Sequence, residues 1–384
     1  MRDVAIIGIG QTPVGEHWDT DLRTLAADAA RAALDDSGNA AVPQAVYVGN
    51  TYGASISSQA QLGALVADYA GLRGAEAFAL EAGEASGAAA VRAAYLAVAS
   101  GAIDTALVVG VEKATDMVGT AKVAARNVTL DADYEAVHGA TLPALAALIM
   151  RRYMYEFGAE LGNFENFSIN AHANGSLNSN AMYRNKLKPG GFARAPMIAD
   201  PVTLFDGAPD GDGAAALVIT AGQNAADLVP HPVYITGSAG ASDTLGLAER
   251  EDILSLSAAG LSASRALAQA GLTVQDIDVF ELHDAFTILT ALALEAMGLA
   301  ERGTGWQLAR DNRIGLAGDV PLSTFGGLKS RGNPVGATGV YQAVEAVLQL
   351  RGAAGANQVA NAQTALVQNM GGLGSTVITH VLKG

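Results

Sequence analysis

The sequence predicts a layered α/β protein made of two similar halves, and three observations support that prediction. Short apolar runs of strand type alternate with alanine-rich helical stretches along the 384 residues. The pattern G-x-x-x-G-A, followed by helix-forming residues, begins at Gly83 and again at Gly332. Each of these helices leads to a strand that starts Thr-Ala-Leu-Val, at Thr105 and at Thr364. Because the matches keep the same order, they indicate an internal duplication.

The elements of each half can be placed in order along the chain. Valine and isoleucine favour strands, whereas alanine-rich stretches favour helices. The first half is predicted to contain a strand at Val4–Ile9, a helix over Leu22–Asp35, a strand at Ala45–Val48, a helix from about Gly87 and a strand at Thr105–Val109. The second half is predicted to contain strands at Asp278–Leu282 and Thr364–Val367, each preceded by a helix.

A segment between the two halves has no repeated counterpart. We expect an N-terminal half over residues 1–119, completed by residues 200–222, an inserted domain over residues 120–199, and a C-terminal half over residues 223–384. The insertion is rich in asparagine, tyrosine and arginine. Insertions of this kind often cover a site or form an interface.

Composition excludes several classes of function. The chain has 38 acidic and 23 basic residues, a net charge of −15, which argues against binding to nucleic acid or an anionic membrane. Its apolar runs are too short to span a bilayer or to form a signal peptide, so we expect a cytoplasmic protein. It has no cysteine, which excludes disulfides, thiolate metal sites and a cysteine nucleophile. The six histidines show no metal-binding spacing, and no metal site is predicted.

Three positions could carry chemistry. Glu84 and Asn333 occupy equivalent positions of the duplicated motif, each at the start of a helix. Two helix N-termini that meet would provide positive charge and free N–H groups for an oxyanion. His283 directly follows the apolar strand Ile277–Leu282, and α/β proteins bind ligands at strand ends. The alternatives are that Glu84 only caps its helix and that His283 is a structural histidine.

Acidic and basic clusters suggest two further sites. Asp206, Asp210 and Asp212 are spaced somewhat like a calcium loop, but no glutamate follows at the twelfth position, so a structural turn is favoured. Three cations lie within five residues of the insertion, where they could bind an anion or form an ordinary solvated loop. These cations are Arg184, Lys186 and Lys188.

Seven ordered motifs, which span nearly the full length, resemble the thiolase superfamily, in particular the sterol-carrier-protein-2-type and archaeal acetoacetyl-CoA thiolases. They are Gln11-Thr12-Pro13-Val14-Gly15, Glu84-Ala85-Ser86-Gly87, Val109-Gly110-Val111-Glu112, Asp212-Gly213-Ala214-Ala215-Ala216, His283-Asp284-Ala285-Phe286, Gly332-Asn333-Pro334-Val335-Gly336-Ala337-Thr338-Gly339 and Asn369-Met370-Gly371-Gly372. The resemblance implies a five-layered αβαβα homodimer whose inserted loop domain helps to bind coenzyme A. Because the chain is acidic overall, we expect the cluster of three cations in the insertion to lie near the coenzyme A phosphates.

The departures from the family pattern determine the expected chemistry. Glu84 stands where thiolases carry the acyl-accepting cysteine, and Asn333 stands where they carry the activating histidine. Thiolysis through a covalent acyl-enzyme therefore lacks its nucleophile and its base. His283, Asn333 and the backbone near Gly372 could stabilise an enolate oxygen, while Glu84 could act as a base. We expect a C–C bond to be made or broken through a CoA-thioester enolate, in an aldol, retro-aldol or Claisen-type reaction.

Relatives of the family leave a second interpretation open. Some cysteine-less members act as aldolases together with a small OB-fold, zinc-ribbon partner protein, and they use tyrosines where this chain has His283 and Asn333. The alternative function is therefore a catalytically silent subunit that binds acyl-CoA within such a complex.

Overall fold

The computed structural model describes residues 2–384. The described residues form eleven strands: β1 Val4–Gln11, β2 Ala45–Gly49, β3 Glu76–Leu80, β4 Thr105–Glu112, β5 Met197–Ala199, β6 Val202–Thr203, β7 Gly213–Ala221, β8 Val233–Ser242, β9 Val279–Leu282, β10 Thr364–Gly371 and β11 Thr376–Lys383. The α-helices are α1 Leu22–Asp36, α2 Leu62–Tyr69, α3 Ser86–Ser100, α4 Gly119–Arg126, α5 Leu142–Phe157, α6 Glu165–Gly175, α7 Ala225–Leu228, α8 Ser257–Ala270, α9 Thr287–Ala296, α10 Gly305–Arg310, α11 Gly327–Ser330 and α12 Thr338–Leu350.

The first helix shows how local sequence sets the boundaries of an element. The Asp21 side chain accepts a hydrogen bond from the Thr24 nitrogen and caps α1. The helix buries mainly alanines and leucines against the sheet and ends before Ser37. The predicted strand at Val4 and helix from Leu22 are confirmed, with boundaries within two residues.

Nine of the strands form one sheet in the order β3-β2-β4-β7-β1-β8-β11-β10-β9. In the first half, β2 is parallel to β4, and β4, β7 and β1 are successively antiparallel. In the second half, β9 is parallel to β10, and β10, β11 and β8 are successively antiparallel. The halves meet where β1 and β8 pair through only two residues on each strand. The repeated order confirms the predicted duplication.

The helices arrange the two halves into layers. Helix α1 packs on β1, β7 and β4, and α8 packs on β8, β11 and β10. Helices α3 and α12 contact each other and also contact strands of both halves. Every residue of α12 from Thr338 to Val347 is buried, as expected for a helix between two sheet surfaces. This arrangement confirms the predicted thiolase-like α/β fold.

The two central helices approach each other through glycines. A Cβ atom on Gly87 would lie 2.8 Å from the Gly336 oxygen, and one on Gly339 would lie 2.4 Å from the Ala88 nitrogen. Both distances are too short for a side chain, so the duplicated glycines permit this contact. The N-terminal ends of α3 and α12 therefore meet, as the sequence predicts.

The segment between β4 and β7 contains α4, α5, α6 and the hairpin of β5 and β6. Leu145, Ile149 and Tyr153 of α5 pack into the same core as Leu289 and Leu292 of α9. The segment therefore packs on the C-terminal half, while the exact domain limits stay a prediction. No helix in the described part of the chain is long and apolar enough to cross a membrane.

Candidate active site

Glu84 lies in a tight turn between β3 and α3. The Ser86 nitrogen donates to the Gly83 oxygen at 3.1 Å, and the Ser86 hydroxyl donates to the same oxygen at 2.6 Å. Gly83 has a φ of +58°, which a glycine adopts without strain. The turn is held by these hydrogen bonds, and none of them uses the Glu84 side chain, which contacts His283 of the second half.

His283 follows the last residue of β9 and meets Glu84 inside the protein. The Nε2 atom of His283 lies 2.9 Å from Oε2 of Glu84, and its Nδ1 atom lies 3.0 Å from Nδ2 of Asn369. His283 and Asn369 are completely buried, and Glu84 is 3% exposed. The structure thus brings two residues that the sequence singles out into one buried chain of hydrogen bonds.

The partners of His283 fix the position of its proton. A carboxylate can only accept, so Nε2 donates to Glu84. In a neutral imidazole the other nitrogen is then an acceptor, and it faces the donor amide of Asn369. Asn369 belongs to the last of the seven motifs, and its contact with His283 depends on the pairing of β10 with β9, which the sequence does not reveal.

Asn333 presents a free donor. Its Oδ1 atom accepts from the Val335 nitrogen and from the Thr338 hydroxyl, each at 3.0 Å. These two bonds assign the amide orientation, and Nδ2 donates no hydrogen bond within the described residues. The Asn333 backbone nitrogen also donates to the Pro209 oxygen at 2.9 Å, which holds the loop in place.

The loop at Gly372 packs against the turn that carries Glu84. A Cβ atom on Gly371 would lie 2.3 Å from the Ala82 oxygen, and the Gly372 nitrogen is 3.5 Å from the position of a Cβ on Gly83. Gly372 has a φ of +57°. The predicted residue Gly372 is therefore beside the Glu84 turn.

Glu112 joins the segments around the site. Its Oε2 atom accepts from the nitrogens of Thr51, at 2.9 Å, and Gly336, at 3.1 Å. Its Oε1 atom accepts from Asn50 Nδ2 and from the Tyr52 nitrogen. Burial raises the pKa of Glu112 to about 7, against these hydrogen bonds, which favour the charged form.

Tyr52 and Arg126 are polar residues of the site that the sequence did not reveal. Tyr52 is fully buried, and its hydroxyl group has no hydrogen-bond partner in the described residues. Burial, and next the Glu84 carboxylate, raise the pKa of Tyr52, so the phenol stays protonated. Burial lowers the pKa of Arg126, but Asp210, Tyr52 and Glu84 together raise it above its ordinary value. Tyr52 lies just beyond β2, so the strand-end rule that selected His283 could also have selected it.

A cavity of about 630 Å³ opens beside this cluster. Lys186 lines it, whereas the exposed residues Arg184 and Lys188 do not. Its other lining residues are Arg126, Pro143, His172, Tyr183, Asn185, Leu187, Ile198, Val202, Thr203, Leu204, Phe205, Gly207, Ala208, Pro209, Asp210, Phe286 and Lys329. The insertion and the segment before β7 thus enclose a cavity large enough for a ligand.

The three aspartates that resemble a calcium loop have separate partners. Asp206 accepts from Thr287, and Asp210 pairs with Arg126. Asp212 lies 2.9 Å from Lys113 Nζ. Among the described residues, no group of three or more His, Asp or Glu side chains could hold a metal ion.

Two family models match most of the chain. One, described as "Thiolase, N-terminal domain", matches residues 4–191, and another, described as "Thiolase C-terminal domain-like", matches residues 239–384. The chain belongs to the thiolase superfamily. This thiolase-superfamily chain contains no cysteine.

Individual relatives extend over the whole chain. "Acetyl-CoA acetyltransferase" of Methanothermobacter thermautotrophicus is 40% identical over 382 residues, which cover 99% of each chain. "Sterol carrier protein 2" of Homo sapiens is 28% identical over 99% of this chain and 72% of that protein. The solved structure "Ltp2-ChsH2(DUF35) aldolase" superposes with a TM-score of 0.85 at 25% identity, covering 100% of this chain and 98% of that one. These similarities support a thiolase-superfamily enzyme.

Proposed function

We propose that this thiolase-superfamily enzyme makes or breaks a C–C bond through a CoA-thioester enolate without a covalent acyl-enzyme. The observation that carries the proposal is the buried hydrogen-bonded chain Glu84–His283–Asn369. The family resemblance expects the missing cysteine at Glu84. A carboxylate held this way can move a proton but offers no thiolate for acyl transfer.

The proposed reaction in the cleavage direction starts from a β-hydroxyacyl-CoA. The Oε1 atom of Glu84 accepts no hydrogen bond within the described residues, so it can take the proton of the β-hydroxyl group. The Cα–Cβ bond then breaks and a carbonyl group forms at Cβ. The electron pair of the broken bond passes to the CoA-thioester enolate. Protonation of Cα by Glu84 gives the shorter acyl-CoA and restores the carboxylate.

The enolate oxygen needs donors that are not already engaged. The Nδ2 atom of Asn333 is such a donor, and the Gly372 nitrogen is a second candidate. The Nε2–H group of His283 is bonded to Glu84, so it can reach an enolate only by releasing that carboxylate. We therefore assign His283 two roles, to orient Glu84 before reaction and to donate once Glu84 has taken up a proton.

The large cavity suits coenzyme A. Its volume of about 630 Å³ falls within the range of small-molecule sites. Lys186 offers a cation for a phosphate group, and Phe286 and Leu187 offer apolar surface for the pantetheine arm. The proposed ligand is an acyl-CoA substrate that enters past the insertion and reaches Asp210 and Arg126 at the inner end.

A homodimer is part of the proposal. Strand β3 lies at one edge of the sheet, and its Phe78 side chain is 50% exposed. An open edge readily pairs with a second chain. Equilibrium sedimentation is expected to give about twice the chain mass of 38.9 kDa, and a monomer at micromolar concentration would reject the dimer.

A second candidate function is a silent acyl-CoA-binding subunit. Glu84 and His283 are almost inaccessible, which favours a structural hydrogen bond over an open reaction site. The structure named "Ltp2-ChsH2(DUF35) aldolase" includes a second component in its name, which supports a partner protein for this chain. The OB-fold, zinc-ribbon type of that partner rests on the family resemblance.

Turnover of β-hydroxyacyl-CoA thioesters separates the two candidates. The purified chain is incubated with a series of these thioesters, with and without a co-expressed partner, and carbonyl products and shorter acyl-CoA are quantified. The proposal expects both products in equal amounts and an unmodified protein mass during turnover. A stable acyl adduct would reject the non-covalent route, and binding without products in both conditions would favour the silent subunit.

A further inference from the structure

A smaller cavity of about 250 Å³ adjoins the large one. The two cavities share Arg126, Pro143 and Ile198. The smaller cavity is also lined by Lys122, Val123, Asn127, Thr141 and Leu142. Arg126 pairs with Asp210, and the backbone of Asp210 forms a bridge with that of Asn333, so this cavity lies near the reacting end of the proposed substrate.

Two cations in the smaller cavity share one carboxylate oxygen. Lys122 Nζ lies 2.8 Å, and Arg126 Nη1 3.2 Å, from the Oδ2 atom of Asp210. The Nε atom of Arg126 is buried without a partner in the described residues, as is the Oδ1 atom of Asp210. The cations remain partly exposed, at 26% and 25% of their side chains. Two positive groups thus face the cavity with a single carboxylate beside them.

The remaining lining residues suit a short carbon chain. Val123, Leu142, Pro143 and Ile198 form apolar walls, and the described lining of this cavity includes no carboxylate. An entirely apolar acyl chain would gain nothing from the two cations and would partly desolvate them. A chain that ends in a carboxylate would pack its methylene groups against the apolar walls and place its carboxylate beside both cations.

We propose that the smaller cavity binds the distal carboxylate of a dicarboxylic acyl-CoA, with Lys122 and Arg126 as its cationic partners. The inference rests on the proposed acyl-CoA function and names its substrate class. In a chain with a net charge of −15, an anionic acyl group needs a localised positive site of this kind. Asp210 holds the two cations in place and competes with the incoming carboxylate.

Calorimetric binding tests this inference without requiring turnover. Succinyl-, glutaryl- and adipyl-CoA are compared with butyryl-, valeryl- and hexanoyl-CoA, which have the same chain lengths. One dicarboxylic member is expected to bind about 5–10-fold more tightly than its partner, the gain of one partly buried ion pair. Equal or weaker binding of the dicarboxylic member at all three lengths would overturn the proposal.

Variants identify the residues responsible. Lys122→Met is expected to remove most of the preference without weakening the binding of monocarboxylic acyl-CoA, whereas Lys122→Arg keeps the preference. Asp210→Asn removes the competing carboxylate and is expected to increase the preference for the dicarboxylic substrate. Lys383→Met changes an exposed lysine outside both cavities and serves as the control. An equal loss for both substrate types in Lys122→Met would overturn the proposal. A binding preference without C–C chemistry would reject the proposed reaction alone.

Discussion

The Nε2 atom of His283 lies 2.9 Å from the Oε2 atom of Glu84, although the two residues are 199 positions apart in the chain. The turn before α3 supplies one partner, and the end of β9 in the other half supplies the second. Their contact requires both halves of the duplicated fold to be in place. The proposed chemistry therefore belongs to the interface between the halves.

Replacement of Glu84 by Gln tests its role as a base. Gln keeps the size and can still accept from His283 Nε2, but it cannot take up a proton, so C–C cleavage is expected to fall by roughly 10²–10⁴. Steady-state kinetics gives kcat, and calorimetry shows whether acyl-CoA still binds. Glu81→Gln, at an exposed neighbour, is the matched control. Full activity of Glu84→Gln would reduce Glu84 to a structural residue.

Replacement of Asn369 by Asp tests the assigned proton position. An aspartate accepts where the amide donated, so the Nδ1 atom of His283 would have to carry a proton. Nitrogen NMR of the imidazole is expected to show Nε2–H alone in the original chain and a protonated Nδ1 in the variant, with a loss of activity of about tenfold or more. The exposed substitution Asn361→Asp provides the control. An unchanged imidazole spectrum would contradict the assignment.

The sequence predicted the scaffold better than the site. Repeated motifs and local propensities were sufficient for the duplicated sheets and for the strand at Val4, because neighbouring residues determine those features. Glu84 and His283 could be selected from motif positions, but their direct hydrogen bond depends on how the two halves pack. Tyr52 and Arg126 were missed because a tyrosine beside a glycine-rich loop and an arginine at a helix end are unremarkable in sequence. Their three-dimensional setting distinguishes them: Tyr52 is fully buried, and Arg126 pairs with Asp210 in the lining of the large cavity.

The buried residue His380 is expected to make the stability of the protein depend on pH. His380 is fully buried between the Ser238 hydroxyl and the Ala88 oxygen. Burial lowers its pKa from 6.5 to about 4. The hydrogen bond to Ala88 opposes this shift, and the charge of Arg92 adds a smaller decrease. Between these values the unfolded chain binds a proton that the native chain does not. The contribution to stability is therefore complete above pH 6.5 and is lost as the pH falls toward 4, by up to roughly 1.4 kcal/mol per pH unit.

Urea unfolding at several pH values measures this dependence. His380→Gln removes the titration, so the free energy of unfolding of the variant is expected to fall less steeply with acid than that of the original chain. The difference between the two slopes isolates His380 from the other histidines. Parallel slopes between pH 6.5 and pH 4 would show that His380 titrates normally.

The three cations of the insertion are expected to contribute unequally to coenzyme A binding. Lys186 lines the large cavity, whereas Arg184 and Lys188 are exposed outside its lining. Lys186→Ala is therefore expected to weaken coenzyme A binding by about 3–10-fold, because an exposed cation–phosphate contact contributes roughly 1 kcal/mol. The same variant should show a smaller loss of affinity when salt is raised from about 50 to 300 mM, since one screened contact is already gone. Arg184→Ala and Lys188→Ala serve as matched controls with effects below about twofold. Equal losses in all three variants would indicate a diffuse basic loop, and no loss in Lys186→Ala would place the phosphates elsewhere.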